Sequence, residues 1–183
     1  MQNVRVFFEK TGMTKYISHL DLMRCMTRAI KRAAIPAWYT EGFNPHLFIT
    51  FALPLTLGVE SLCESMDIRL TEEMGFEEVK NRLNVNLPDG IRITNVAVPV
   101  YKANDIAFAE YKITFHTRKN EKIKNEIEEK LLGDELLAEK MGKQGKRKVL
   151  KTINLKEFVN SYSVISLNDK TVLTAVLTAG SKN

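Results

Sequence analysis

The chain of 183 residues contains very little cysteine and no long hydrophobic run. Cys25 and Cys63 are its only cysteines, and their wide separation argues against a disulfide framework and against a cysteine cluster that binds zinc or iron–sulfur. No apolar stretch approaches the roughly 18 residues of a membrane-spanning helix, and the opening MQNVRVFFEK lacks the apolar core of a secretory signal. These absences predict a cytoplasmic protein with no membrane partner, no metal site and no other cofactor.

The sequence also lacks the short motifs that mark common catalytic sites. It contains no G-x-S-x-G, P-loop, H-E-x-x-H or dinucleotide-binding glycine pattern. His19 and His46 are the candidate catalytic residues, since histidine serves readily as a general acid or base near neutral pH. A predicted helix, about 24 Å long, separates the two histidines, which disfavours a joint acid/base role. The sequence therefore shows no recognisable catalytic site, and we expect that the protein is not an enzyme by itself.

Positive charge is concentrated in two parts of a chain whose formal net charge is +5. Residues 1–35 carry seven Lys and Arg against two acidic residues, and residues 118–151 carry eleven against seven. Residues 60–89 are acidic, with eight Asp and Glu against three Lys and Arg. This distribution permits a polyanionic partner such as RNA, and it fits solvated surfaces of mixed charge equally well.

Residues 1–100 show the patterns of an α+β, ferredoxin-like βαββαβ domain. NVRVFFEK alternates apolar and polar residues as a strand does, and Ser18 opens a helix that Pro36 ends. LFITFALP and the segment from Leu62 to Leu70 are strand candidates, and GFEEVKNRL has one apolar helical face. IRITNVAV completes the order as a fourth strand, and this order predicts the ferredoxin-like fold.

Residues 101–183 begin the same order again and predict a second, incomplete ferredoxin-like domain. AEYKITFH is typical of a strand and KNEKIKNEIEEKLL of a charged helix, while KRKVLKTINL, NSYSVISL and KTVLTAVLTA are further strand candidates. MGKQGKRK, whose last three residues overlap the candidate KRKVLKTINL, is predicted to be a mobile Gly/Lys loop. A helix and a strand of the second repeat are missing when the chain stops at Asn183, which predicts a truncated chain or an incomplete repeat.

Four cations share one face of the first predicted helix. Arg24, Arg28 and Arg32 follow one another at intervals of four residues, and Lys31 lies beside them. They project opposite an apolar stripe formed by Leu22, Met26, Ala29 and Ala33. Like charges on successive turns repel one another, and RNA phosphates would offset the repulsion because the arginine fork matches phosphate oxygens. The alternatives are a solvated helix face and pairing with the acidic residues of the segment 60–89.

The stretch EGFNPH, residues 41–46, predicts a constrained loop that contacts a ligand or partner. Asn44 precedes a proline and is thereby held in an extended conformation. Flat aromatic side chains lie close by in the sequence, and proteins that bind single-stranded RNA use such surfaces beside cations. The predicted contacts are Trp38, Tyr39, Phe43, Asn44 and His46. The alternative is that Trp38 and Phe43 fill the core and Asn44 forms a turn.

The segments ISHLDLMRCMTRAIKRAAIP, EGFNPH, LPLTLGVES and LNVNLPDGIRI resemble a bacterial family, the radical-SAM-linked domain of unknown function. Members of that family are fused to, or encoded beside, a radical S-adenosylmethionine (SAM) enzyme, and ribonuclease E/G-type and ribosomal protein genes lie close by in many genomes. The resemblance is dense from Phe7 to Val98. The matching residues are Ser18, His19, Leu20, Asp21, Arg24, Arg28, Arg32, Gly42, Phe43, Asn44, Pro45, His46, Gly58, Glu60 and Ser61.

The resemblance implies a partner protein more clearly than it implies a catalysed reaction. A radical SAM enzyme needs three cysteines for its iron–sulfur cluster, and this chain has two distant ones. The resemblance therefore implies an accessory protein that acts with the radical enzyme. The chain departs from the family at Leu47 and Phe48, where the family usually has Pro-Lys or similar, and in its early stop after Asn183.

The leading hypothesis is a non-catalytic accessory module of a radical SAM system that binds RNA, either rRNA or tRNA, or presents it to the partner enzyme. The basic helix would hold phosphates, and the segment from Trp38 to His46 would contact bases or the partner. The first alternative is a small metal-independent endoribonuclease or RNA-modifying subunit that uses His19 or His46. The second is a protein–protein adaptor whose basic helix docks on an acidic face of the radical SAM enzyme.

Overall fold

A computed structural model describes residues 1–144 and 147–179 of the chain. Within these ranges the protein is mixed α+β, with three α-helices and antiparallel sheets. The chain forms two compact units, Met1–Ile106 and Ala107–Asn183. None of the helices in the described ranges is both long enough and apolar enough to cross a bilayer.

The first unit is built on a four-stranded antiparallel sheet. Its elements are β1 (Gln2–Lys10), α1 (His19–Arg32), β2 (Ile49–Phe51), β3 (Ser61–Leu70), α2 (Phe76–Asn86) and β4 (Ile91–Ala97). They follow one another in the order βαββαβ, and the strands lie side by side in the order β2-β3-β1-β4. A short 3-10 helix, Gly12–Tyr16, connects β1 to α1.

The core of the first unit forms because alternate residues of the central strands face the helices. Val4 and Val6 of β1 are fully buried, and they lie opposite Ile68 and Met66 of β3 in the antiparallel register. Each apolar side chain of this size contributes ~1.5–3 kcal/mol when it is buried rather than exposed. The two helices add Leu22, Met26, Ala29, Ile30, Val79 and Leu83 to the same core.

The segment between α1 and β3 contains less strand than the sequence predicts. Of the predicted strand LFITFALP, only Ile49–Phe51 is a strand, and it pairs with β3 at the edge of the sheet. The chain that precedes it forms an irregular hairpin beside β3. Isolated bridges join Ala37 to Leu70 and Tyr39 to Leu47.

The second unit combines a three-stranded sheet with a separate hairpin. Its elements are β5 (Phe108–His116), α3 (Asn120–Leu132), β6 (Leu137–Gln144), β7 (Arg147–Asn154), β8 (Val159–Ser166) and β9 (Lys170–Thr178). The sheet has the order β5-β9-β8 and is antiparallel, while β6 and β7 pair with each other.

The predicted second ferredoxin-like repeat is not confirmed. β6 and β7 pair from Leu137 opposite Asn154 to Gln144 opposite Arg147, so their facing backbone groups are satisfied without joining the three-stranded sheet. A 3-10 turn, Leu155–Phe158, follows β7 where the repeat would need a helix. The predicted loop MGKQGKRK is wrong for residues 141–144, which belong to β6, whereas residues 147–148 belong to β7, as the overlapping strand prediction KRKVLKTINL has it. Residues 145–146 of that loop lie outside the described residues. So do residues 181–183, where the sequence predicted a truncation or an incomplete repeat.

Gly90 closes the turn between α2 and β4 in a conformation that favours glycine. Its φ is +88°, and a Cβ atom there would lie 2.6 Å from the carbonyl oxygen of Thr11. The Thr11 N–H donates to the Gly90 carbonyl at 2.8 Å, which holds the two backbones close together.

We expect Gly90→Ala to lower the free energy of unfolding by about 2–4 kcal/mol, because backbone strain and a steric clash both oppose the added methyl group. Equilibrium unfolding in urea measures the change. Gly58→Ala is the matched control, since Gly58 has a similar φ of +86° but open space around it. The control should lose about 1 kcal/mol, and equal losses in the two variants would contradict the role assigned to the clash.

Candidate functional site

α1 presents its basic face outward because a cap fixes the residue at which the helix begins, and an apolar stripe on the opposite face packs into the core. Ser18 caps the helix: its Oγ accepts from the backbone N–H of Asp21 at 3.1 Å and donates to the Asp21 carboxylate at 2.7 Å. The side chains that face the core are Leu22, Met26, Ala29 and Ile30. The predicted cations lie on the opposite side and are exposed.

Arg24, Arg28 and Arg32 line one groove of about 650 Å³, which we call the arginine groove. These arginines, with Asp21 and Cys25, form its α1 wall. The facing α2 wall consists of the end of α2 and the start of the turn into β4, namely Val85, Asn86, Leu87 and Pro88. The structure thus brings together three of the four predicted phosphate-binding cations.

The three arginines differ in how far they are engaged within the protein. Arg24 pairs with Asp21 at 3.1 Å, and because both side chains are more than half exposed, this pair contributes little stability. Arg32 donates to the backbone carbonyl of Asn86 and so ties α1 to the α2 wall. Arg28 forms no ion pair within the part of the chain that the structure describes. Arg28 is therefore the cation most available to an external anion.

The acidic segment 60–89 does not neutralise these arginines where the structure describes it. Its ion pairs go to other basic residues: Glu60 pairs with Lys15, Asp67 with Arg5, Glu77 with Lys80 and Glu78 with Arg82. The alternative that this segment pairs with the basic helix is therefore wrong.

Cys25 is a half-buried thiol within the arginine groove. Burial raises the pKa of Cys25 above its ordinary value, and the positive charges of Arg32 and Arg28 oppose that rise. The thiol is therefore protonated near neutral pH. Cys63, the other cysteine, is exposed and does not line the groove.

Lys31, the fourth predicted phosphate contact, is directed toward the hairpin. Its Nζ lies 5.5 Å from the centre of the Tyr39 ring, which is a cation–π contact. Lys31 does not belong to the residues that line the arginine groove. The contact places Tyr39 beside the basic face of α1.

Trp38 is engaged in a stack of side chains in the first unit. The guanidinium carbon of Arg69 lies 5.1 Å from the centre of the Trp38 ring and 5.2 Å from that of Phe48. The two rings meet edge to face at 5.7 Å. Phe43 is fully exposed, so the alternative that Trp38 and Phe43 together fill the core is wrong for Phe43.

The EGFNPH loop is the exposed tip of a hairpin that Thr40 and His46 close. The Thr40 N–H donates to the His46 carbonyl at 2.8 Å, and the His46 N–H donates to Thr40 Oγ1 at 3.1 Å. His46 Nδ1 lies 3.0 Å from the same Oγ1, and Asn44 is exposed at the tip. The described residues that line the arginine groove include none from Trp38 to His46. The predicted loop contacts therefore lie outside the groove, and Tyr39 meets the basic face of α1 through Lys31.

His19 and His46 make separate contacts. His19 is the first residue of α1, as predicted, and its ring meets the ring of Phe51 edge to face at 5.0 Å. Its Nδ1 is buried without a hydrogen-bond partner in the described structure. No hydrogen bond or ring contact joins the two histidines in residues 1–144 and 147–179.

Lys10 and Glu64 form, with His19, a polar cluster that was not among the predicted sites. Lys10 is 1% exposed, and its Nζ lies 3.4 Å from the carbonyl oxygens of Lys15 and Ile17. Burial raises the pKa of Glu64, and the charges of Lys10 and His19 oppose that rise. Burial likewise lowers the pKa of Lys10, against the charge of Glu64.

Strand alternation was the signal that could have revealed these two residues. Lys10 continues the buried series Val4, Val6 and Phe8, and Glu64 precedes the buried positions of β3 in the same way. Charged residues at core-facing positions are rare unless they are paired. Because Lys10 is buried, its ammonium group is out of reach of a substrate. Among the described residues, no three His, Cys, Asp or Glu side chains converge as a metal site requires.

Compared with known protein families, residues 3–183 match the family described as "Uncharacterized protein conserved in bacteria (DUF2344)". The chain belongs to this family. The match covers both units, and no curated protein matches the chain. The family description names no ligand, activity or partner, so the link to a radical SAM enzyme remains a hypothesis drawn from the sequence resemblance.

Lys10 is expected to hold down the pKa of Glu64. Replacing Lys10 with Met removes a positive charge that lowers this pKa, so the pKa should rise further above the ordinary value of 4.5. Folding raises the pKa of Glu64, so its contribution to stability is complete below pH 4.5 and is lost as the pH rises through the folded-state pKa. In Lys10→Met that loss should extend to higher pH. NMR titration of the Glu64 carboxyl measures the shift.

Lys15→Met is the matched control for this titration. Lys15 pairs with Glu60 at 3.2 Å and is not a cause of the raised pKa of Glu64. Glu64 should therefore titrate in this variant as it does in the unchanged protein. A Glu64 pKa that stays the same or falls in Lys10→Met would contradict the coupling.

Proposed function

We propose that this protein binds RNA through the arginine groove and acts as a non-catalytic accessory module of a radical SAM system, presenting rRNA or tRNA to the partner enzyme. The observation that carries the proposal is the convergence of Arg24, Arg28 and Arg32 on one groove, with Arg28 free of ion pairs in the described chain. The partner and the cytoplasmic location rest on the sequence resemblance and composition.

The spacing of the arginines supports a ligand with regularly repeated negative charges. Residues four apart on a helix rise by about 6 Å along its axis, which is close to the separation of successive phosphates in a nucleic-acid strand. Each guanidinium can donate two parallel hydrogen bonds to one phosphate. Release of the counterions that surround the phosphates adds to the affinity and makes binding dependent on salt.

The placement of the ionisable groups favours binding over catalysis. Lys10 is buried, and His19 packs against Phe51, while His46 closes a separate hairpin. We also assign the first unit to the ferredoxin-like class, on its βαββαβ order and its strand order β2-β3-β1-β4. RNA-binding proteins use this class, which is an argument by analogy of fold alone.

The double variant Arg24→Glu, Arg28→Glu should bind RNA at least tenfold more weakly at low salt. Two lost phosphate contacts should also flatten the slope of log affinity against log salt concentration by about 1.5. Fluorescence anisotropy with a labelled RNA, repeated at several salt concentrations, measures both quantities.

Lys122→Glu, Lys130→Glu is the matched control, because it makes the same change of charge on exposed positions of α3. This control should keep most of the affinity. Equal affinity of the arginine variant and the unchanged protein would remove the proposal. Capture of a protein partner that survives nuclease treatment and requires the arginines, without any RNA binding, would favour the adaptor instead.

A further inference from the structure

We infer that the arginine groove takes single-stranded RNA, with the phosphates on the α1 wall and a base against the α2 wall; this inference rests on the proposed function. The two walls differ in chemistry. The α1 wall carries three guanidinium groups, whereas the α2 wall carries the apolar side chains of Val85, Leu87 and Pro88. A ligand that fits both walls must be anionic along one side and apolar along the other.

The α2 wall is unsuited to phosphate for an electrostatic reason. Val85 and Asn86 are the last residues of α2, and the carbonyl groups at a helix C-terminus form the negative end of its dipole. One of these carbonyls, that of Asn86, already accepts a hydrogen bond from Arg32. The wall therefore repels anions, while it can accept hydrogen bonds from the amino groups of a nucleobase.

Val85 is the exposed surface on which a base can lie. Its side chain is 85% exposed although it is apolar. A flat base packed against the Val85 side chain would remove this apolar surface from water, which is favourable. The burial requires a base that is not already stacked within a helix.

A duplex is complementary to only one of the two walls of the groove. In double-stranded RNA the bases are stacked inside, and the accessible features are phosphates, 2′-hydroxyls and the edges of the minor groove. Such a ligand would meet the α1 wall and leave Val85 uncovered. The volume of about 650 Å³ lies in the range of small-ligand sites, which suits one or two unstacked nucleotides.

A gain of affinity tests this inference. Val85→Tyr adds an aromatic ring at an exposed position of the α2 wall, where folding should tolerate it. We expect this variant to bind a single-stranded RNA of about eight nucleotides about fivefold more tightly, because base–aromatic stacking is favourable for any base. Binding of a duplex with the same sequence should not change. Leu62→Tyr is the matched control, since Leu62 is exposed on β3 and does not line the groove.

The two cysteines report where the RNA lies. Cys25 lies in the groove, and Cys63 is exposed elsewhere. Saturating single-stranded RNA should slow the alkylation of Cys25 by iodoacetamide at least threefold and leave the rate at Cys63 unchanged. Mass spectrometry of the digested protein measures both rates in one sample.

The outcomes separate this inference from the function on which it rests. If the Arg24→Glu, Arg28→Glu variant loses RNA but Val85→Tyr changes nothing and Cys25 is not protected, the inference is overturned and RNA binding stands. Duplex binding that matches or exceeds single-strand binding would also overturn it. If neither RNA binds, both fail. Protection of Cys25 only by a nuclease-resistant protein partner would make the groove a protein-docking site, which again overturns the inference.

Discussion

Burial of one face of α1 is the constraint on which the rest of the first unit depends. Leu22, Met26, Ala29 and Ile30 complete the core above the central strands, and rotating the helix would expose them to water. The arginines are therefore held on the outside in a fixed row. α2 packs into the same core through Val79 and Leu83, which brings its end opposite that row. The arginine groove is thus a consequence of core packing.

The groove uses its charged groups in different ways. Arg32 bonds the Asn86 carbonyl and fixes the separation of the two walls, so it serves structure first. Arg24 shares its charge with Asp21 in an exposed pair, which an incoming phosphate can displace at small cost. Arg28 has neither role in the described structure and is the natural centre of an anion site. Within this one row, Arg28 is therefore available to bind a ligand, whereas Arg32 holds the two walls of the groove at a fixed separation.

Local sequence patterns predicted where α1 starts, that Ser18 caps it and that its arginines face outward, because each of these features depends on residues within a few positions of one another. They did not foretell that Arg69 stacks on Trp38, since strand pairing and hairpin closure bring those side chains together. The Lys10 and Glu64 cluster was visible as charge at core-facing positions of two strands. It was missed because charged residues in a strand are normally assigned to the solvent-exposed face.

The sequence by itself determined the periodicity of β1, α1, β3 and α2 and the side of each that faces the core, because those depend on backbone geometry repeated every few residues. Only the tertiary structure decided which surfaces face one another. Arg32 and Asn86, which span the groove, are 54 residues apart in the chain. That β6 and β7, which are neighbours in the chain, pair only with each other and do not join the three-stranded sheet was also a tertiary result, since the alternation within a strand does not specify which further strand its free edge joins. Contacts of that kind depend on how whole elements pack, and no local pattern encodes them.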